Sequence, residues 1–148
     1  MTTVHAERTV TVRRPAAEVF AFLADGLNNP RWRPEVTAVR LASGAGTGAQ
    51  AGARYNQTMT GPGGLSIPGD YLLTVCEPPH RLEFEVVAGP GRPTGSFTLR
   101  ESAPGETEVE FVLDLALSGA LVPLAGMIRG LARAEVANLD RLRDVLDH

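Results

Sequence analysis

The sequence contains no lysine: all 14 of its basic residues are arginine. That removes Schiff-base chemistry and the lysine of a phosphate-binding loop from consideration. Cysteine is nearly as scarce. Cys76 stands alone, so no disulfide can close within the chain and an oxidising compartment gains no support. The three histidines, His5, His80 and His148, lie far apart in the chain and form no zinc-ligand spacing. Neither a Gly-x-Ser-x-Gly elbow nor a glycine-rich strand-to-helix turn occurs, which leaves that hydrolase design and a nucleotide site without support. Met1 to Val12 lack the apolar core of a signal peptide, and no apolar run is long enough to span a bilayer, so a cytoplasmic location is expected. A net charge of -3 with no basic run argues against a nucleic-acid surface.

What is present fits one folded domain over residues 1–148. The length suffices for a single core, and 43% apolar residues suit a globule. Glu7 to Arg13 alternates polar and β-branched residues and predicts a first strand. Pro15 has the fixed φ of a first helical turn, and Val19, Phe20, Phe22 and Leu23 supply the buried side of a helix closed at Asp25-Gly26. A brief second helix follows over Asn28 to Trp32, with Asn28 or Asn29 as its cap, and Val36 to Leu41 reads as a strand. Ser43 to Gly52 is a glycine- and alanine-rich surface loop.

Five further strands are predicted at Ala53 to Thr60, Tyr71 to Cys76, Arg81 to Val87, Gly95 to Glu101 and Thr107 to Leu117, each bounded by Gly or Pro clusters. Such short connections favour antiparallel neighbours. A long helix from about Leu121 to Leu146 closes the chain. Leu124, Ile128, Leu131, Glu135, Leu139, Leu142 and Leu146 share its apolar stripe. Strands grouped together, rather than alternating with helices, predict an antiparallel α+β domain whose sheet is covered on one face by that helix.

The opening Val12-Arg13-Arg14-Pro15-Ala16-Ala17-Glu18-Val19-Phe20, the Asn29-Pro30-Arg31-Trp32 turn, the stretch Thr74-Val75-Cys76-Glu77-Pro78-Pro79-His80-Arg81-Leu82 and the closing Leu139-Asp140-Arg141-Leu142-Arg143 carry a resemblance. Over nearly its whole length the chain resembles the START-like helix-grip superfamily, and within it the polyketide cyclase/dehydrase and lipid-transport branch. The resemblance implies a bent antiparallel sheet of about six to seven strands gripping a long carboxy-terminal helix, with two short helices after the first strand. It also implies an apolar cavity, which other members use for lipids, polyketides, sterols, plant hormones or quinones.

Glu135 is the sharpest candidate for a site residue. A carboxylate on a buried face has to be paired, hydrogen-bonded or protonated. Unpaired in a cavity it would serve as an acid or base; bonded to an arginine or a backbone N–H it would only position the helix. Tyr55, Gln57 and Met59 alternate on one strand face and would give a cavity a hydroxyl, an amide and a thioether. Phe84, Phe97 and Phe111 share an inner face, as core or as ligand contacts, and Ile128, Leu131 and Trp32 complete the expected lining. In Asp70 to Cys76 the facing is ambiguous; the family resemblance favours Asp70 and Thr74 inward.

The expected function is binding of a small hydrophobic molecule by a monomer or homodimer, with no metal or cofactor required. The alternatives are a cyclase or dehydratase using Glu135, Asp70 or Tyr55, and a quinone chaperone or other partner-binding protein. A cavity carboxylate without an arginine partner would favour chemistry, and an external apolar patch would favour a protein partner.

Overall fold

The computed structural model describes residues 2–42, 48–89 and 91–147, so part of the Ser43 to Gly52 loop, Pro90 and His148 lie outside the described residues. Strand β1 (Thr2–Val12) starts before Glu7, because its long partner draws it out: Thr2 pairs with Leu117 and Val12 with Thr107. Val4, Ala6, Val10 and Val12 fill its buried face.

Helix α1 (Ala16–Ala24) begins after Pro15 and has no side-chain cap of its own. The first N–H groups of a helix need acceptors, and here a strand supplies one: Ala16 donates its backbone N–H to Glu101 at 3.0 Å. Asp25 ends the helix and accepts from the Leu27 N–H at 3.1 Å, opening a 3-10 turn over Gly26–Asn28. Helix α2 (Asn29–Trp32) follows directly. Any Cβ at position 26 would run into the Tyr71 hydroxyl and the Tyr55 ring, so glycine is what lets this connector lie against them.

The remaining strands are β2 (Val36–Leu41), β3 (Arg54–Thr60), β4 (Ser66–Pro68), β5 (Tyr71–Glu77), β6 (Arg81–Val86), β7 (Thr94–Ala103) and β8 (Glu106–Leu117). All pairings are antiparallel, in the order β1-β8-β7-β6-β5-β3-β2, with β4 against β3. β4 adds an eighth strand inside a segment that reads as turn, since three residues ending in proline leave almost no period to detect.

The register shift between Leu73 and Val75 settles the ambiguous strand. Tyr71 and Leu73 are buried, Thr74 is the exposed extra residue, and beyond the bulge Cys76 packs against the core. The expectation that Thr74 faces inward is thereby corrected. A bulge switches the faces midway, so neither strict alternation holds along β5.

The chain closes with a 3-10 turn (Gly119–Leu124), α3 (Ala125–Ala137) and α4 (Leu139–Leu146). Asn138 is shared between the two helices; its N–H reaches back only three residues, to the Glu135 carbonyl at 3.1 Å. That tightening, and Pro123 in the opening turn, divide what reads as one periodic helix. The core lies between these helices and one sheet face. There Phe97 stacks on Phe111 with centroids 4.4 Å apart, and Trp32 meets both rings edge-on at 6.1 Å.

Candidate functional site

Behind α2, on the inner face of the sheet, lies a cavity of about 30 Å³. Leu23, Leu73, Leu82, Phe84, Val86 and Phe97 make its apolar wall; Asn29, Arg33, Gln57 and Tyr71 bring polar groups, with Trp32 and Met59 between. Such a space holds a water or two. Any larger guest has to move a wall. Phe84 owes its position to Gly95 opposite it on β7, where a Cβ would overlap the ring.

One polar set is bonded within itself. The Asn29 amide donates to Gln57 and to the Tyr71 hydroxyl, both at 2.9 Å, and Gln57 Nε2 reaches the Gly69 carbonyl at 3.5 Å. Sequence reasoning treats Asn29 as a helix cap; it turns inward instead and is buried. Burial pushes the Tyr71 phenol well above its ordinary range, so it stays a neutral hydroxyl.

A second set surrounds Glu135. Its carboxylate contacts the Arg33 guanidinium, both side chains being nearly buried. The two charges touch without an aligned hydrogen bond, for Arg33 Nε and Glu135 Oε1 both lack one. Arg33 also lies 5.8 Å over the Trp32 ring, within cation–π range. The Trp32 indole N–H is buried with no acceptor among the described residues. Asn138 donates to Glu35 at 2.5 Å.

Burial lifts Glu135 to about 7; Arg33 works against that, and the neighbouring Glu35 carboxyl adds to it. For Glu35 burial also pushes upward, but hydrogen bonds from Glu135, its own backbone and Asn138, with the charge of Arg33, outweigh it and hold the group below its ordinary value. Their surroundings thus push the two carboxyls in opposite directions, Glu135 upward and Glu35 downward.

The expected lining residues separate accordingly. Trp32, Gln57, Met59, Phe84 and Phe97 come together at the cavity. Tyr55 does not line it: the ring stacks on Tyr71 at 5.2 Å and its hydroxyl points to the Ala24 carbonyl at 3.5 Å. Phe111 is buried beside Trp32 rather than in the wall. Asp70 accepts the Gln57 backbone N–H at 3.0 Å and lies 3.6 Å from Arg54, which makes it a brace for β3.

Ile128 is half-buried and Leu131 exposed. At 100° per residue, Ile128 and Leu131 lie within about 40° of Glu135 on α3, so the helix face that meets Arg33 continues as an apolar face. Sequence reasoning misses Arg33, Glu35 and Asn138. Asking what neutralises Glu135 would have called for an arginine without saying which.

A larger hollow, about 260 Å³, lies on the outer sheet face among Thr74, Arg81, Glu83, Glu85, Ser96 and Asp114. Most of its charged groups are already partnered: Arg81 holds Glu83 at 2.8 Å, and His5 from β1 contacts Asp114 at 2.6 Å. The inner cavity, with an unspent donor, is the better candidate. Among the described residues no group of three or more His, Cys, Asp or Glu could hold a metal ion, and no helix is long and apolar enough to cross a membrane.

An antiparallel sheet closed by a terminal helix, with two short helices after the first strand and a small lined cavity beneath, defines a START-like helix-grip protein. Solved structures agree on the fold. A START superfamily protein from Mycobacterium smegmatis is similar with a TM-score of 0.80 at 16% identity, over 97% of each chain. The Zhui aromatase/cyclase from Streptomyces sp. R1128 gives 0.77 at 19% identity, over 99% of this chain and 94% of that one. The di-domain ARO/CYC BexL from the BE-7585A biosynthetic pathway gives 0.76 at 19% identity, over 99% of this chain and 50% of that one. This chain belongs to the polyketide cyclase/dehydrase and lipid transport family, whose pattern matches residues 3–147. No curated protein matches it significantly in sequence.

Proposed function

We propose that this protein binds a small, mostly hydrophobic molecule between the terminal helix and the inner sheet face, with its polar end at Arg33 and Trp32. The observation that carries the reading is the apolar edge of the terminal helix beside Glu135. Leu131 lies one turn before Glu135 on α3 and Leu124 in the turn that opens the helix, yet they are 47% and 43% exposed. A ligand lying along that edge would gain roughly 25 cal/mol per Å² of apolar area covered. The few polar groups then choose among ligands.

Native mass spectrometry of the purified protein, followed by denaturation and identification of released small molecules, tests this reading. An apolar adduct lost on denaturation is expected. A protein that carries no adduct, and gains no thermal stability from a panel of apolar acids and aromatic compounds, would refute it.

A second reading has its own support. Val122 and Met127 are also exposed, off the Glu135 stripe, so apolar side chains near the start of the terminal helix are open to a protein partner as well. A cyclase-type reaction is favoured less, because Glu135 contacts Arg33 and is not a free carboxylate in an apolar pocket.

A further inference from the structure

Apolar area explains where the body of a ligand would lie. It does not explain why a guanidinium and an indole N–H stand at one end of the cavity beside two carboxyls. Resting on the binding reading above, we infer that the ligand is a hydrocarbon carrying a carboxylate, which takes the place on Arg33 that the Glu135 carboxyl occupies in the unliganded protein.

The donor inventory supports this. Both amide hydrogens of Asn29 are spent on Gln57 and Tyr71, and Gln57 donates to Gly69. The donor in the wall without an acceptor among the described residues is Trp32 Nε1, and beside it the Arg33 guanidinium is held only by its ion-pair contact with the Glu135 carboxyl. An unspent donor calls for an acceptor, and the cation selects an anionic one. An amine would meet the charge of Arg33. An alcohol would leave the pair with Glu135 unbroken. A phosphate would bring a second negative charge toward Glu35 and Glu135, whereas a carboxylate replaces one carboxylate by another.

Glu135 can yield its place because it can carry a proton instead of a charge. The charged groups acting on it are Arg33 and Glu35; α3 packs on β1 and β8, and on β1 Arg8 is held by Asp140. Arg129 and Arg133 are the other charged groups of α3. When the ligand takes Arg33, an ionised Glu135 would face two anions, Glu35 and the ligand. It takes a proton from solvent instead. No covalent bond changes.

Titration calorimetry on the full chain with decanoate, decanol and decylamine tests the inference. Decanoate should bind at least about ten-fold tighter than decanol. Near pH 7.5 it should take up a proton, seen as a buffer-dependent heat, so that affinity falls by up to about ten-fold per unit as pH rises above 7. Glu135→Gln keeps the shape and should bind decanoate more tightly, with that pH dependence gone. Arg33→Met should equalise decanoate and decanol; if it does not fold, Glu135→Gln carries the test alone. Equal binding of decanoate and decanol would overturn the carboxylate inference and leave the cavity reading standing. Binding of none of the three would overturn both.

Discussion

The two halves of the terminal helix face the same sheet and are held by different physics. In α4, Leu139 and Leu142 are fully buried, Asp140 pairs with Arg8, and the end is tied down by Arg14 Nε on the Leu146 carbonyl at 2.6 Å and by the Arg13 N–H on Asp147 at 2.8 Å. In α3 only Val136, near its end, is buried, although the helix is longer and lies along β1. One half is sealed into the core, and the other lies along the sheet with apolar side chains left in water. Glu135 stands at the crossover, where the apolar stripe stops being core and becomes the edge of a groove.

Truncating the anchor tests that contrast most strongly. Leu142→Ala should cost about 2–5 kcal/mol in urea unfolding, from lost burial and the cavity left behind, whereas Leu131→Ala should cost less than about 1 kcal/mol. Equal costs would mean that the halves do not differ as described.

The crossover itself should be visible in pH. Glu135 has a folded value near 7 against an ordinary 4.5, so the folded state binds the extra proton between them. Stability should then fall as pH rises from about 4.5 through 7, by on the order of 3 kcal/mol at most, and level off above. Glu35, held low, acts in the opposite sense: its contribution is present above 4.5 and is lost as pH falls through its folded value. Chemical denaturation at several pH values checks this, and Glu135→Gln should flatten the decline between 4.5 and 7. The smallest effect belongs to the exposed clasp on α4. Asp140→Asn should change stability by about 1 kcal/mol or less, diminishing with added salt, because the pair with Arg8 is solvated.

Much of this architecture was legible because it is periodic. The alternation of Val109, Phe111 and Leu113, and the helical spacing of Ile128, Leu131, Leu139 and Leu142 about Glu135, require no knowledge of neighbours. Glu135 was visible for the same reason, as a charge interrupting a pattern. Its partners were not. Arg33 lies far earlier in the chain, just beyond a helix that ends at Trp32, and Asn138 looks like one more polar residue in a helix until Glu35 is brought beside it. Thr74 went astray because a bulge adds one residue to a count of two, which no local pattern announces.

Phe84 belongs both to the inner cavity's wall and to the border of the outer hollow, and Gly95 opposite it borders the outer hollow. At that point the sheet is a partition one backbone thick, and the ring is its shutter, parked over a residue with no side chain. A single methyl at position 95 would swing the shutter inward. The inner space, at about 30 Å³, is small enough to be stoppered by that movement alone, so its capacity is governed by a residue that never touches a guest.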